Sequence, residues 1–164
     1  KDNNIYVYNL GISGDNTINL LSRIEVEAKS RKPNFVIFAI GTNDAQFIHS
    51  TNSLRISPDD FRQNLTELLT VAKKFTDKVV FVGLTEVDET KTRPIPWSTD
   101  KSYTNENIKR MDNVIREFCA NNGLKFISMG GVIENNDLAD GLHPNTGGHI
   151  KIFKRIKSEV ESLL

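Results

Sequence analysis

The chain has 164 residues, enough to bury a substantial core, and we expect residues 1–164 to form a single domain. Lysine plus arginine and aspartate plus glutamate each total 21, so the formal net charge is zero, which argues against nucleic acid as the main partner. No apolar run approaches the roughly 20 residues of a membrane-spanning helix, so no membrane span is expected. Cys119 is the only cysteine, which excludes an intrachain disulfide and a cysteine-based metal cluster.

Short apolar runs alternate with segments of helical periodicity along the whole chain. Strands are predicted at residues 5–10, 35–40, 79–84 and 124–129. Helices are predicted at residues 15–30 and 104–122 and from residues 57 and 144 onward. The predicted capping residues are Asp15 or Asn16, Ser57, Thr104 and Asn145. This alternation predicts an α/β fold, a three-layer α/β/α sandwich around a parallel sheet.

One long segment, residues 85–103, departs from this alternation and carries Pro94, Pro96 and Trp97 in its middle. Loops of this length in compact domains are either lids and binding walls or mobile segments. The sequence leaves both interpretations open for this loop.

Polar motifs follow three of the predicted strands. Gly-Ile-Ser-Gly-Asp at residues 11–15 follows the first strand, and Gly-Thr-Asn-Asp at residues 41–44 follows the second. Asp-Gly-Leu-His-Pro at residues 140–144 lies between the last strand and the last helix. Because ligands bind beyond the carboxyl ends of the strands in open α/β sheets, we expect the three motifs to meet at one rim.

The residue types in these motifs suit acyl transfer. Asp140 and His143 can pair through a carboxylate–imidazole hydrogen bond, which orients a general base for a hydroxyl nucleophile. The side-chain amide of Asn43 can donate to a developing oxyanion. Each motif alone is equally well explained as a turn or a helix cap, but these explanations do not account for all three in this order.

The sequence predicts neither a metal ion nor an organic cofactor. His149 lies six residues after His143 and off its helical face, so the two do not form a pair of metal ligands. The glycines near residue 11 lack the spacing of a dinucleotide-binding loop.

With these three motifs, the chain resembles the SGNH, or GDSL-type, hydrolases, which are serine esterases and lipases with a flavodoxin-like α/β fold. The resemblance covers nearly the whole chain. It implies a small-molecule ester substrate, no cofactor, and a Ser-His-Asp triad in which Asp140 is the acid and His143 the base. It also implies that the Gly14 N–H and the Asn43 side chain bind the oxyanion.

The chain departs from this family in having no Gly-Asp-Ser block, which carries the serine nucleophile at the end of the first strand. Ser13 is no substitute, because it lies within the second block. In the family's sheet the missing strand lies between the strands predicted at residues 5–10 and 35–40, and omitting it would leave a gap of about 9.6 Å. We therefore expect a missing N-terminal segment of about 30 residues that supplies the first strand, the first helix and the serine.

Two other arrangements could close the sheet. The strand at residues 5–10 could move inward, or a neighbouring molecule could supply a strand, so that an oligomer with strand exchange is possible. The single cysteine favours the cytoplasm, but an export signal upstream of Lys1 would not be visible in this sequence.

The resulting functional expectation is an acyl- or acetyl-ester hydrolase as the intact protein, with the chain as given inactive. Asp44, Trp97 and Tyr103 are the candidate walls of the substrate pocket. The neutral charge and moderate hydrophobicity favour small or carbohydrate-linked esters over triglycerides. The alternative is a non-catalytic module that retains the hydrolase rim and binds carbohydrate or ester ligands without cleaving them.

Overall fold

The computed structural model describes residues 5–163. The strands are β1 (Val36–Phe38), β2 (Phe47–Ile48), β3 (Ser53–Leu54), β4 (Val79–Val82), β5 (Lys101–Ser102) and β6 (Lys125–Ile127). The helices are α1 (Thr17–Leu21), α2 (Ile24–Arg31), α3 (Pro58–Lys73), α4 (Glu89–Thr92), α5 (Asn105–Asn122) and α6 (Thr146–Val160). No helix within residues 5–163 has the length and apolar character needed to cross a bilayer.

The central sheet is parallel, with the order β1-β4-β6. β4 lies in the middle, with Val79 opposite Val36 on β1 and Val80 opposite Lys125 on β6. All four β4 residues are buried, which explains why their sequence is a continuous apolar run rather than an alternating one. The predicted parallel α/β sheet is therefore confirmed.

Helices cover both faces of this sheet, as in the predicted three-layer sandwich. On one face, α3 and α5 pack their apolar sides against Phe38 and Phe81 in the main core. The shorter α1 and α2 lie against α3. On the other face, α6 packs through Ile152 and Ile156 against a smaller core that includes Val80.

The helices begin where their capping residues predict. The side chains of Ser57, Thr104 and Asn145 each accept a hydrogen bond from a backbone N–H in the first turn of α3, α5 and α6. The helix predicted at residues 15–30 is instead divided into α1 and α2. The Ser22 hydroxyl donates to the Asn19 carbonyl at the break, an alternative to continuous helical bonding.

The strand predicted at residues 5–10 is wrong, because these residues are irregular and exposed. Val7 is 86% exposed, and residues 5–10 pair with no strand of the described chain. They therefore do not move inward to pair with β1. A single extended segment without a neighbour gains no ladder hydrogen bonds and buries no face, which explains its irregular conformation.

A second, antiparallel sheet with the order β3-β2-β5 was not predicted. It joins residues after the Gly-Thr-Asn-Asp motif to the end of the 85–103 segment, with Phe47 opposite both Leu54 and Ser102. The segment also contains α4 and buries Ile95 and Tyr103. It is thus a structured wall beside the rim of the parallel sheet.

A substitution at Gly83, the residue after β4, tests how tightly the chain packs at this end of the strand. A Cβ added to Gly83 would lie 2.5 Å from Asp112 Oδ1 and 2.8 Å from Phe126 Cζ. We expect Gly83→Ala to lower the free energy of unfolding by about 1–3 kcal/mol, as overpacking does, measured by urea denaturation. Gly130→Ala is the matched control, because the nearest contact of its Cβ is at 3.8 Å. Equal stability of the two variants would contradict the prediction.

Candidate active site

The Asp140–His143 pair lies between β6 and α6 and is formed as the sequence predicts. His143 Nδ1 is 2.7 Å from Asp140 Oδ2, and Asp140 Oδ1 accepts the backbone N–H groups of Leu142 and His143 at 3.0 and 2.8 Å. Burial opposes ionisation, but these hydrogen bonds together lower the pKa of Asp140 to about 2. An ionised carboxylate only accepts, so Nδ1 carries the proton and Nε2 is left as the basic atom of His143.

The segment that carries this pair is held in place through its backbone. The Asp88 N–H donates to the Gly141 carbonyl at 2.8 Å, and the Ala139 N–H donates to the His143 carbonyl at 2.8 Å. Gly141 has a φ of +91°, which only glycine adopts easily, and its backbone lies against Lys91. The glycine thereby permits the tight turn that brings the imidazole back over its carboxylate.

Asn43 is fixed at both ends of its side-chain amide. Its Nδ2 donates to the Asp15 carbonyl at 2.9 Å, and its Oδ1 accepts from the Tyr103 hydroxyl at 2.7 Å. The Tyr103 hydroxyl in turn accepts from Gln46 Nε2 at 2.8 Å. Burial raises the pKa of Tyr103, which keeps its hydroxyl protonated as a donor. Because an amide nitrogen carries two hydrogens, one N–H of Asn43 is left for a ligand.

Gly14 supplies a second donor near Asn43. It has a φ of +82°, and within residues 5–163 its N–H has no hydrogen-bond partner. Its carbonyl accepts from Arg55 Nη1 at 3.2 Å, which ties this turn to the small antiparallel sheet. The turn therefore presents a backbone N–H without needing it for its own structure.

Asp44 lies behind the cavity rather than in it. The side chain is fully buried, and it accepts hydrogen bonds from both the backbone N–H and the hydroxyl of Thr17 at the start of α1. Burial raises the pKa of Asp44, while the Thr17 hydrogen bonds and the charge of Arg55 oppose that rise. Its contacts join the turn after β1 to α1, so it positions the rim instead of touching a substrate.

A cavity of about 280 Å³ brings the other predicted residues together. Its lining includes Gly14, Asn43, Trp97, Tyr103 and His143. The Trp97 ring stacks on the His143 imidazole, with ring centroids 5.9 Å apart and planes at 30°. Residues that were predicted from three separate motifs and one loop therefore share one cavity, and Asp140 is connected to it through its hydrogen bond to His143.

Three further lining residues were missed by the sequence analysis: Gln46, Arg55 and Lys101. Gln46 lies two residues after the Gly-Thr-Asn-Asp motif. Its position close to that motif is the only feature of the sequence that could have identified it. Arg55 and Lys101 reach the cavity from the antiparallel sheet, which has no recognisable pattern in the sequence.

The described part of the chain offers neither a metal site nor a second cleft that is a better candidate for the active site. Within residues 5–163, no group of three or more His, Cys, Asp or Glu side chains is arranged to hold a metal ion. A second cleft of about 230 Å³ beside α5 is lined by Glu86, Lys109, Asp112 and Arg116, among others. Those four charges form two ion pairs, and no histidine or serine lines that cleft.

Comparison with known proteins gives the family. The sequence profile of the GDSL-like lipase/acylhydrolase family matches residues 1–150. A lipase/acylhydrolase from Enterococcus faecalis is similar in structure, with 26% identity, a TM-score of 0.73, and coverage of 92% of this chain and 73% of the other. A search of curated protein sequences gives no match.

Two further structures share the fold at lower identity. A GDSL-like lipase from Bacteroides thetaiotaomicron has 23% identity and a TM-score of 0.74, with coverage of 94% of this chain and 75% of the other. An acetylxylan esterase from Geobacillus stearothermophilus has 18% identity and a TM-score of 0.71, with coverage of 92% and 69%. Because the family profile spans most of the sequence, and the structure agrees with it, the chain belongs to the GDSL-like lipase/acylhydrolase family of hydrolases.

Proposed function

We propose that this protein hydrolyses short acyl esters, acetyl esters among them, through a Ser-His-Asp triad. His143 is the general base, Asp140 orients it, and the nucleophilic serine lies on a segment that precedes Lys1 in the natural polypeptide. The observation that carries the proposal is that His143, held by Asp140 at 2.7 Å, and the fixed Asn43 amide line one cavity.

The residues divide the steps of this mechanism among them. His143 Nε2 removes the proton of the serine hydroxyl as its oxygen attacks the ester carbonyl, and the imidazolium then protonates the leaving alcohol. The Asp140 carboxylate stabilises that imidazolium. The free N–H of Asn43 and the N–H of Gly14 donate to the oxyanion. Water then attacks the acyl-enzyme by the same steps and releases the acid.

The exposed edge of β1 supports the proposal that an additional strand completes the sheet. Within residues 5–163, β1 pairs with β4 alone, and Ile37 is 42% exposed on the face of the sheet that carries α6. Of the described helices, α6 alone packs on that face, and its Phe153 is 62% exposed. A strand beside β1, followed by a helix beside α6, would cover both side chains.

The same strand would carry a nucleophile to the right place. Parallel strands end at a common rim, so the carboxyl end of a strand beside β1 would lie near residues 41–44. Asn43 and the cavity are at that rim. The apolar residues 5–8, exposed in the described chain, would gain a neighbour on the far side of the new strand. A second copy of the chain could supply the strand instead, and the mass of the particle in solution distinguishes the two sources.

The size and polarity of the cavity favour a short acyl group on a polar alcohol. About 280 Å³ bordered by Asn43, Gln46 and Tyr103 offers hydrogen bonds and little room for a long acyl chain. The similar Geobacillus stearothermophilus protein is described as an acetylxylan esterase, and its serine-to-alanine and histidine-to-alanine variants are described as catalytic mutants. Trp97 at the cavity edge is suitable for stacking on a sugar ring.

The second candidate function is a non-catalytic module that binds carbohydrate or ester ligands. One observation favours it: within residues 5–163, no serine hydroxyl hydrogen-bonds to His143, although Ser13 lines the same cavity. A natural polypeptide whose intact mass matches the sequence from Lys1 would support the module.

The proposal is tested by comparing the esterase activity of the natural polypeptide with that of residues 1–164. We expect the natural polypeptide to hydrolyse para-nitrophenyl acetate, and its His143→Ala variant and the chain of residues 1–164 to show no enzymatic turnover. The physical reason is that the described rim holds a base and oxyanion donors but lacks a paired nucleophile. His143-dependent turnover by the chain of residues 1–164 alone would contradict the location of the serine.

The oxyanion role of Asn43 is tested by removing its amide. We expect Asn43→Ala to lower kcat by roughly 10²–10³-fold in the natural polypeptide, because one donor to the developing charge is lost. Asn121→Ala is the matched control, since Asn121 is exposed on α5 away from the cavity. Equal turnover by the two variants would exclude the role.

The hydrogen bonds that lower the pKa of Asp140 also make stability depend on pH. A carboxyl whose pKa is lowered on folding, here from 3.8 to about 2, stabilises the fold above the higher value and loses that contribution as pH falls toward the lower one. We expect Asp140→Asn to be less stable than the parent at pH 7, with the difference shrinking between about pH 4 and pH 2. Urea denaturation across this range measures it, with the exposed Asp77→Asn as control. A difference independent of pH would contradict the assignment.

A further inference from the structure

The lining of the cavity beside Asn43 and His143 carries positive charge on two side chains. Arg55 and Lys101 line it, and no aspartate or glutamate does. Within residues 5–163, neither cation belongs to an ion pair, whereas Lys109 and Arg116 in the second cleft pair with Glu86 and Asp112. Because the chain as a whole has no net charge, this field is local to the site.

Within residues 5–163, the Arg55 side chain makes one hydrogen bond, which leaves most of its donors unused. Its Nη1 donates to the Gly14 carbonyl at 3.2 Å, and a guanidinium has five N–H donors. That contact fixes the guanidinium beside the oxyanion donor Gly14. The charge of Arg55 also acts on the buried Asp44 carboxylate, and its remaining N–H donors are left for an anion in the cavity.

Gln46 provides an independent sign that a polar ligand belongs in this cavity. The side chain is 4% exposed, and within the described residues its Oε1 has no hydrogen-bond partner. Its orientation follows from the hydrogen-bond chain: the Asp15 carbonyl requires Asn43 Nδ2, so Asn43 Oδ1 accepts from Tyr103. The Tyr103 hydroxyl then accepts from Gln46 Nε2.

This leaves Gln46 Oε1 as a buried acceptor among the residues that line the cavity. A buried acceptor without a partner is unfavourable, and because this oxygen has almost no accessible surface, a hydroxyl or N–H on a bound molecule reaches it only if the side chain turns toward the cavity. An apolar acyl chain would not satisfy the acceptor. The acceptor requires a hydrogen-bond donor and the two cations favour an anionic group, so the two observations concern different parts of a polar ligand.

We infer that the preferred ester carries an anionic group, a carboxylate or a phosphate, which Arg55 and Lys101 bind beside the oxyanion site. The inference rests on the proposed hydrolase function and adds the substrate class. Charge-assisted hydrogen bonds in a half-buried cavity discriminate strongly between an anion and its neutral isostere.

Matched pairs of esters test this in the natural polypeptide. On the acyl side, para-nitrophenyl hemisuccinate is compared with neutral para-nitrophenyl levulinate. On the alcohol side, para-acetoxybenzoate and para-acetoxyphenyl phosphate are compared with methyl para-acetoxybenzoate. The His143→Ala variant supplies the uncatalysed background. We expect kcat/KM for at least one anionic ester to exceed that of its neutral partner by roughly tenfold or more.

Substitutions show whether the two cations cause that preference. Arg55→Gln combined with Lys101→Gln is expected to bring the ratio of kcat/KM values toward one. Arg55→Lys, which keeps the charge, is expected to retain part of it, and Lys154→Gln on the exposed side of α6 is the charge-matched control. Added salt should also reduce the ratio, because it screens the charges. Ratios near one in the parent, or ratios unchanged in the doubly substituted variant, would overturn the inference.

The outcomes separate the two proposals. Hydrolysis of neutral esters without an anionic preference rejects the substrate class and keeps the hydrolase. Absence of any His143-dependent hydrolysis rejects the hydrolase mechanism. Calorimetric binding of para-hydroxybenzoate or phenyl phosphate then decides whether the anion site exists, since the Arg55→Gln, Lys101→Gln variant must lose that binding.

Discussion

The hydrogen bonds between Asp44 and Thr17 are the interaction on which the rim of this protein depends. They join the turn after β1 to the first residue of α1, and Asn64 from α3 also donates to the Thr17 hydroxyl. This connection places the Asp15 carbonyl where Asn43 can donate to it. Two motifs that lie thirty residues apart in the sequence thereby act as one unit, and a buried carboxylate rather than apolar packing keeps them in register.

The orientation of the Asn43 amide depends on a wider set of contacts than its own motif. The hydroxyl of Tyr103, at the end of the 85–103 segment, donates to Asn43 Oδ1. Gln46 Nε2 in turn donates to that hydroxyl. The small antiparallel sheet connects these two stretches of chain through Phe47 and Ser102. A segment that the sequence presents as a long loop is therefore part of the support that orients the Asn43 amide, and electrostatic preorganisation requires support of this kind.

The sequence predicts those features of the fold and site that depend on local chemistry. The apolar run of β4 and the caps Ser57 and Thr104 are readable because burial and capping each act within a few residues. The antiparallel sheet is not readable, because two-residue strands carry no periodicity, and it places both Lys101, in β5, and Arg55, directly after β3. The strand predicted at residues 5–10 fails for a different reason: its apolar pattern is real, but a strand requires a neighbour that the described residues do not provide.

The stacking of Trp97 on His143 makes the site visible to spectroscopy. Trp97 is the only tryptophan of the chain, and its indole lies against the imidazole at a centroid distance of 5.9 Å. Indole emission responds to the charge and polarity of its surroundings, so the intrinsic tryptophan fluorescence of residues 1–164 originates at the cavity. Protonation of the imidazole, or a ligand that displaces water from the indole, is therefore reported by the protein itself without an added label.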